Sequence, residues 1–107
     1  MNFVKNKTIE EILSVHTDKI PVLLNKNKRS NITELNKEKY LVNKDMSMAQ
    51  FTYKIRERLK LKAYEALFFH CEGHIISGQV TMSELYHKHK NQDEILYILY
   101  SSEEVFG

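Results

Sequence analysis

A single cysteine, Cys71, rules out an internal disulfide and fits a reducing compartment. One proline and three glycines leave few places where the chain can turn tightly. No apolar run approaches the ~20 residues that span a bilayer. Met1-Asn2-Phe3-Val4-Lys5 turns polar too soon for a signal peptide. A soluble body is expected, so any membrane attachment must be added chemically. There is no glycine-rich phosphate loop and no paired-carboxylate signature. Glu10-Glu11 and Glu103-Glu104 read as a helix face and a solvated tail. No cofactor is expected. A net charge of +2, from 16 basic and 14 acidic residues, does not demand a nucleic acid, though it allows a mild attraction to acidic peptides or anionic lipid.

What is present suffices for one folded domain. Hydrophobic residues make up 42% of 107 residues, and a chain of this size buries about two-thirds of its unfolded surface. Thr8-Ile9-Glu10-Glu11 has the form of a capping box, and Ile9, Ile12 and Leu13 follow at helical spacing. This predicts a short helix over 8–15. Lys19 to Leu24 is short and β-prone, with Pro21 near a strand start or an edge. Asn25 to Asn31 is polar and basic and is expected to be a solvated turn. Tyr40-Leu41-Val42 reads as a second strand, and the lysines beside it suit an exposed sheet edge.

Ser47-Met48-Ala49-Gln50 forms a second capping box, and Met48, Phe51, Ile55 and Leu59 continue it, predicting a helix over 47–59. Residues 66–71 make a third strand. Thr81-Met82-Ser83-Glu84 opens a short helix reaching about His89. Ile95 to Tyr100 is apolar at every position, which predicts a central strand covered on both faces. Ser101 to Gly107 is expected to be an exposed tail. The expected fold is α+β: a ubiquitin-like β-grasp with a mixed four-stranded sheet, a central helix and one extra N-terminal helix. The whole of 1–107 would be one domain, with 1–15 a helical extension and 101–107 a flexible tail.

Several ordered segments carry a resemblance. They are Asp18-Lys19-Ile20-Pro21-Val22, Lys39-Tyr40-Leu41-Val42, Gln50-Phe51 with Ile55-Arg56, and Ala66-Leu67-Phe68-Phe69. Met82 with Leu85-Tyr86 and His89, Leu96-Tyr97 with Tyr100-Ser101, and the ending Phe106-Gly107 continue the series. Together they resemble the GABARAP-type autophagy-related ubiquitin-like modifiers, from about His16 to Gly107. The resemblance implies that an activating enzyme adenylates the carboxylate of Gly107, that the acyl group passes to a cysteine as a thioester, and that a conjugating enzyme transfers it to phosphatidylethanolamine. Glycine suits this because a residue without Cβ threads a narrow channel and does not crowd the attacked carbonyl. A deconjugating cysteine protease is a further implied partner. The protein would be cytoplasmic, and on the autophagosomal membrane when lipidated.

The resemblance also implies a groove for cargo receptors or adaptors carrying aromatic-x-x-aliphatic motifs. An extended peptide would add to the strand edge near Lys39 to Val42. Ile12, Pro21, Leu23, Lys39, Leu41 and Ile95 would line the aromatic pocket. Tyr40, Val42, Met46, Phe51 and Ile55 would line the aliphatic one. Lys19, Lys37, Lys39 and Arg58 would attract acidic flanking residues. Asn43 stands where the family generally has proline, and Lys54 where it has an aliphatic residue. The alternative is a noncovalent ubiquitin-like module that binds motifs and is never conjugated.

Two other readings are set aside. His70-Cys71-Glu72-Gly73-His74 with His87 and His89 raises zinc, but His70 and Cys71 are adjacent on a strand and point to opposite faces. No metal is expected. Lys26, Lys28, Arg29, Arg56, Arg58, Lys60 and Lys62 could contact nucleic acid, but the interleaved stacking aromatics are missing.

Overall fold

The computed structural model describes residues 9–103. Its elements run α1 (Ile9–Val15), β1 (Lys19–Lys26), β2 (Lys39–Asn43), α2 (Met48–Leu59), β3 (Phe68–Cys71), β4 (His74–Ile75), α3 (Met82–His89) and β5 (Leu96–Ser101). The strands form one mixed sheet in the order β2-β1-β5-β3-β4. β1 pairs antiparallel with β2 and parallel with β5, and β5 pairs antiparallel with β3. This is the α+β arrangement expected from the sequence. No helix among the described residues is long and apolar enough to cross a membrane.

Alternation along the strands sorts the side chains. Ile20, Val22 and Leu24 of β1 join Tyr40 and Val42 of β2 and Leu96, Ile98 and Tyr100 of β5 in the core. α2 buries Met48, Phe51, Ile55 and Leu59 against them, and α3 adds Met82, Leu85 and Tyr86. Phe51 lies edge-on to Tyr40 and tilted against Phe69, with ring centroids 6.3 and 5.7 Å apart. On the opposite face, α1 packs on β1 and buries Ile12.

Both helix starts follow the sequence signals. Ser47 and Gln50 form a reciprocal capping box on α2, and Thr81 and Glu84 form one on α3. Thr8, the cap expected for α1, lies outside the described residues. α2 stops at Lys60, whose left-handed backbone lets its N–H reach back to the carbonyls of Arg56 and Glu57.

The structure corrects four expectations. The sheet has five strands, not four. Glu72 and Gly73 both take positive φ (49° and 81°), the pattern of a two-residue hairpin turn, which folds His74–Ile75 back onto β3 as a short edge strand. β5 is central but covered on one face, because α1 reaches β1 and leaves Tyr97 and Leu99 exposed at 37% and 42%. Asn25 and Lys26 extend β1, paired with Leu99 and Tyr100. Within the expected solvated turn, Asn27 and Ser30 are also buried. Ser101 belongs to β5 and is fully buried, so the tail starts after it. Ser102 is tied back as well, its N–H donating to Ser30 Oγ at 3.1 Å.

Candidate functional site

β2 ends the sheet, so one of its edges faces outward. Leu24 N–H donates to Glu38 O at 2.7 Å, and Lys44 N–H donates to Asp18 O at 3.0 Å. In an antiparallel ladder these bonds fix the alternation. Tyr40 and Val42 therefore bond to β1, while Lys39, Leu41 and Asn43 aim their backbone groups at the open edge. The same alternation sends Leu41 and Lys39 to one face of the sheet and Tyr40 and Val42 to the other. A strand added here would place residues three apart on opposite faces.

On the α2 side lies a groove of about 440 Å³ lined by Lys19, Tyr40, Leu41, Val42, Asn43, Met46, Phe51, Lys54, Ile55 and Arg58. It contains every residue expected for the aliphatic pocket. Its floor is continuous with the core, since Tyr40, Val42, Phe51 and Ile55 are each nearly or wholly buried. The volume is in the range of a small ligand pocket.

Tyr40 is the best-held member of this wall. Its hydroxyl donates to Lys37 O at 2.8 Å. The Lys37 ammonium stands 5.0 Å and the Arg58 guanidinium 5.4 Å from its ring centroid. Burial raises the Tyr40 pKa, partly offset by the Arg58 charge. Lys37 and Arg58, expected as attractors of acidic residues, thus also fix the aromatic wall. Lys19 lines the groove and sits 3.9 Å from Asp18.

On the α1 side, register brings the expected aromatic-pocket residues to one face. Pro21 lies opposite Leu41, and Leu23 opposite Lys39. Ile95 immediately precedes Leu96, the partner of Val22, which puts it beside Pro21. Ile12 covers this face from α1 and is 2% exposed, while Leu41 is 5% exposed. Leu23 and Ile95 are half-buried and Lys39 is exposed. Gly107, the expected conjugation residue, lies outside the described residues.

Sequence reasoning missed a neighbouring hollow of about 680 Å³ between Asn43, Asp45, Met46, Ala49, Gln50, Tyr53 and Lys54. It shares Asn43, Met46 and Lys54 with the groove and extends it along α2. Its signal was present: Gln50, Tyr53 and Lys54 stand three and four residues apart, on one helix face. Tyr53 is 66% exposed, unusual for a large aromatic with no helix or strand over it.

Known proteins place this geometry. The family model described as "Autophagy protein Atg8 ubiquitin like" matches residues 4–107. "Autophagy-related protein 8" of Emericella nidulans is 40% identical over 106 residues, covering 98% of this chain and 90% of that protein. The protein of the same name from Colletotrichum lindemuthianum is also 40% identical over 106 residues, covering 98% and 88%. The crystal structure of Trypanosoma brucei ATG8 superposes with a TM-score of 0.83 at 34% identity, covering 92% of this chain and 84% of that one. The chain therefore belongs to the Atg8 family of autophagy-related ubiquitin-like proteins.

Proposed function

We propose that the protein is a GABARAP-type modifier, conjugated through Gly107 to phosphatidylethanolamine, that tethers cargo receptors carrying aromatic-x-x-aliphatic motifs to the autophagosomal membrane. The observation that carries the docking half is the groove of about 440 Å³ beside the open edge of β2, formed by the residues named for the aliphatic pocket. The conjugation half is supported by the ending Phe106-Gly107 and by membership of the family. In this reading 1–107 is one ubiquitin-like domain, with 1–15 a helical extension and the conjugation tail following β5. It is a substrate of the activating and conjugating enzymes and of a deconjugating cysteine protease, and is not itself an enzyme. It cycles between cytoplasm and membrane.

Charge supports an acidic flank on the partner. Lys19, Lys37, Lys39, Lys54 and Arg58 surround the edge strand, and Lys54 replaces an apolar wall with a cation. A peptide carboxylate beside the aliphatic residue would find Lys54 within the groove.

The two halves are tested separately. In a reconstituted reaction, Gly107→Ala is expected to abolish the lipid adduct with the fold intact. A wild-type chain that forms no thioester with its cognate activating enzyme would leave the noncovalent module as the correct reading. By calorimetry, replacing Tyr40 and Leu41 with alanine is expected to weaken an aromatic-x-x-aliphatic peptide at least about tenfold, or ~1.4 kcal/mol. Circular dichroism of the double variant controls for folding. Unchanged affinity would remove the edge strand from the docking site.

A further inference from the structure

The end of the sheet far from β2 carries a third cavity, of about 530 Å³, between the β3–β4 hairpin and α3. Its lining includes Cys71, Glu72, His74 and His89. The Cys71 sulfur, a Glu72 carboxylate oxygen and a His89 ring nitrogen lie within 4.8 Å of one another. His89 Nδ1 and Glu72 Oε1 already meet at 2.6 Å. We propose that Cys71, Glu72 and His89, with His74 as a fourth donor, form a site for a zinc-type divalent metal ion.

The backbone explains why these groups converge. Glu72 and Gly73 turn the chain with positive φ at both positions, so Cys71 and His74 become direct partners across the ladder. Directly opposed residues project to the same face with Cβ atoms about 5 Å apart. α3 then lays His89 over that face, 15 residues later in the chain. His70 points the other way, as adjacency on a strand requires, and has no part in the site. His87 is two residues from His89 and so falls on another side of the helix.

The donor chemistry selects the ion. One sulfur, imidazole nitrogen and one carboxylate suit zinc or a similar borderline metal in tetrahedral coordination. Calcium and magnesium want oxygen alone. Without metal the thiol is held protonated: burial, and then the charge of Glu72, push its pKa to about 11. Ligation would release that proton to solvent, and the ion's two positive charges would offset the carboxylate that opposes the thiolate. Cys71 Sγ now donates weakly to Tyr97 O at 3.4 Å, a bond that ligation gives up. His74 is exposed and lines the same cavity, on the face that Cys71 shares, so it is the residue placed to supply the fourth donor.

The test is a titration of the untagged, metal-stripped, reduced full chain with cobalt(II), followed by displacement with zinc(II). The expected result is one ion per chain, a near-ultraviolet thiolate-to-cobalt band, intense visible bands of tetrahedral cobalt, and loss of all of them on adding zinc. His89→Gln alters a ligand that is 16% exposed on α3 and keeps a polar side chain there, and Glu72→Gln one that is 63% exposed. Both keep the fold and should weaken cobalt by about tenfold to a hundredfold. Cys71→Ser should remove the thiolate band, with circular dichroism checking its fold. Absence of the thiolate band at saturating cobalt overturns the proposal. So does a band that His89→Gln leaves unchanged, or binding that follows His87→Gln instead.

Discussion

Cys71 shows how one position carries chemistry that the strand pattern hides. It is 3% exposed on the core side of β3, and its pKa is raised first by burial and then by Glu72. A thiol with a higher pKa folded than unfolded stabilises the fold fully below the unfolded value, and that contribution is lost as pH rises through the folded one. The window here runs from about 9 to about 11. Tyr86 and Tyr100, whose pKa values burial also raises, act in the same direction at higher pH. Urea unfolding at the two ends of that window is expected to show Cys71 accounting for up to ~2 kcal/mol of the alkaline loss. Cys71→Ala should show a smaller loss than wild type, and an equal loss would mean that the thiol titrates normally in the fold.

At the same scale, some of the docking site was legible and some was not. Tyr40 and Leu41 are neighbours on a strand, so alternation alone sends them to opposite faces, while their assignment to pockets is what the resemblance implies. The hold of Lys37 and Arg58 on the Tyr40 ring required α2 to be placed beside β2, which no local pattern states. The same holds for Ser30, whose hydroxyl meets Ser102 from 72 residues away and which is buried inside an otherwise mostly exposed loop.

Among the elements, the helices were the most legible because each announces its own start. Ser47 with Gln50 and Thr81 with Glu84 satisfy N-terminal N–H groups from within their own first turns. The structure adds a link that spacing could not reveal. Ser47 and Thr81 form a β-bridge, Met48 N–H donates to Val80 O, and Met82 N–H donates to Met46 O, both at 2.8 Å. The two helix starts are therefore stitched together and share one environment. Ser47→Ala and Thr81→Ala are each expected to cost ~1 kcal/mol. The double variant should depart from the sum by more than about 0.5 kcal/mol, as contacting sites do. A denaturation double-mutant cycle reads this, and strict additivity would show the caps to be independent.

The strands were less legible. β4 has only two residues, too few to show any periodicity, and exists because Glu72 accepts a left-handed backbone beside Gly73. β5 reads as covered on both faces from composition, but coverage depends on the reach of the seven-residue α1 and so on tertiary placement. Tyr97 and Leu99 stay partly open for that reason.

The whole molecule divides into two ends across one sheet. The β2 edge, with its groove and surrounding cations, is the proposed docking site for an extended acidic-flanked peptide. The β4 edge, with its sulfur, imidazole and carboxylate donors, is the proposed metal site. Register explains why both ends survive in a small domain. β1 and β5 occupy the middle and bury the core, so the outer strands are free to carry function. The order of strands was not readable from any single segment, because the parallel pairing of β1 with β5 joins residues more than 70 apart.

The docking account is tested most directly by nuclear magnetic resonance of the isotopically labelled chain, titrated with an aromatic-x-x-aliphatic peptide bearing an acidic flank. The account predicts that backbone amide shifts concentrate on Lys39, Leu41 and Asn43, with side-chain changes at Met46, Ile55 and Ile95. Shifts confined to the β3–β4 hairpin and α3, with the β2 edge silent at saturation, would contradict it.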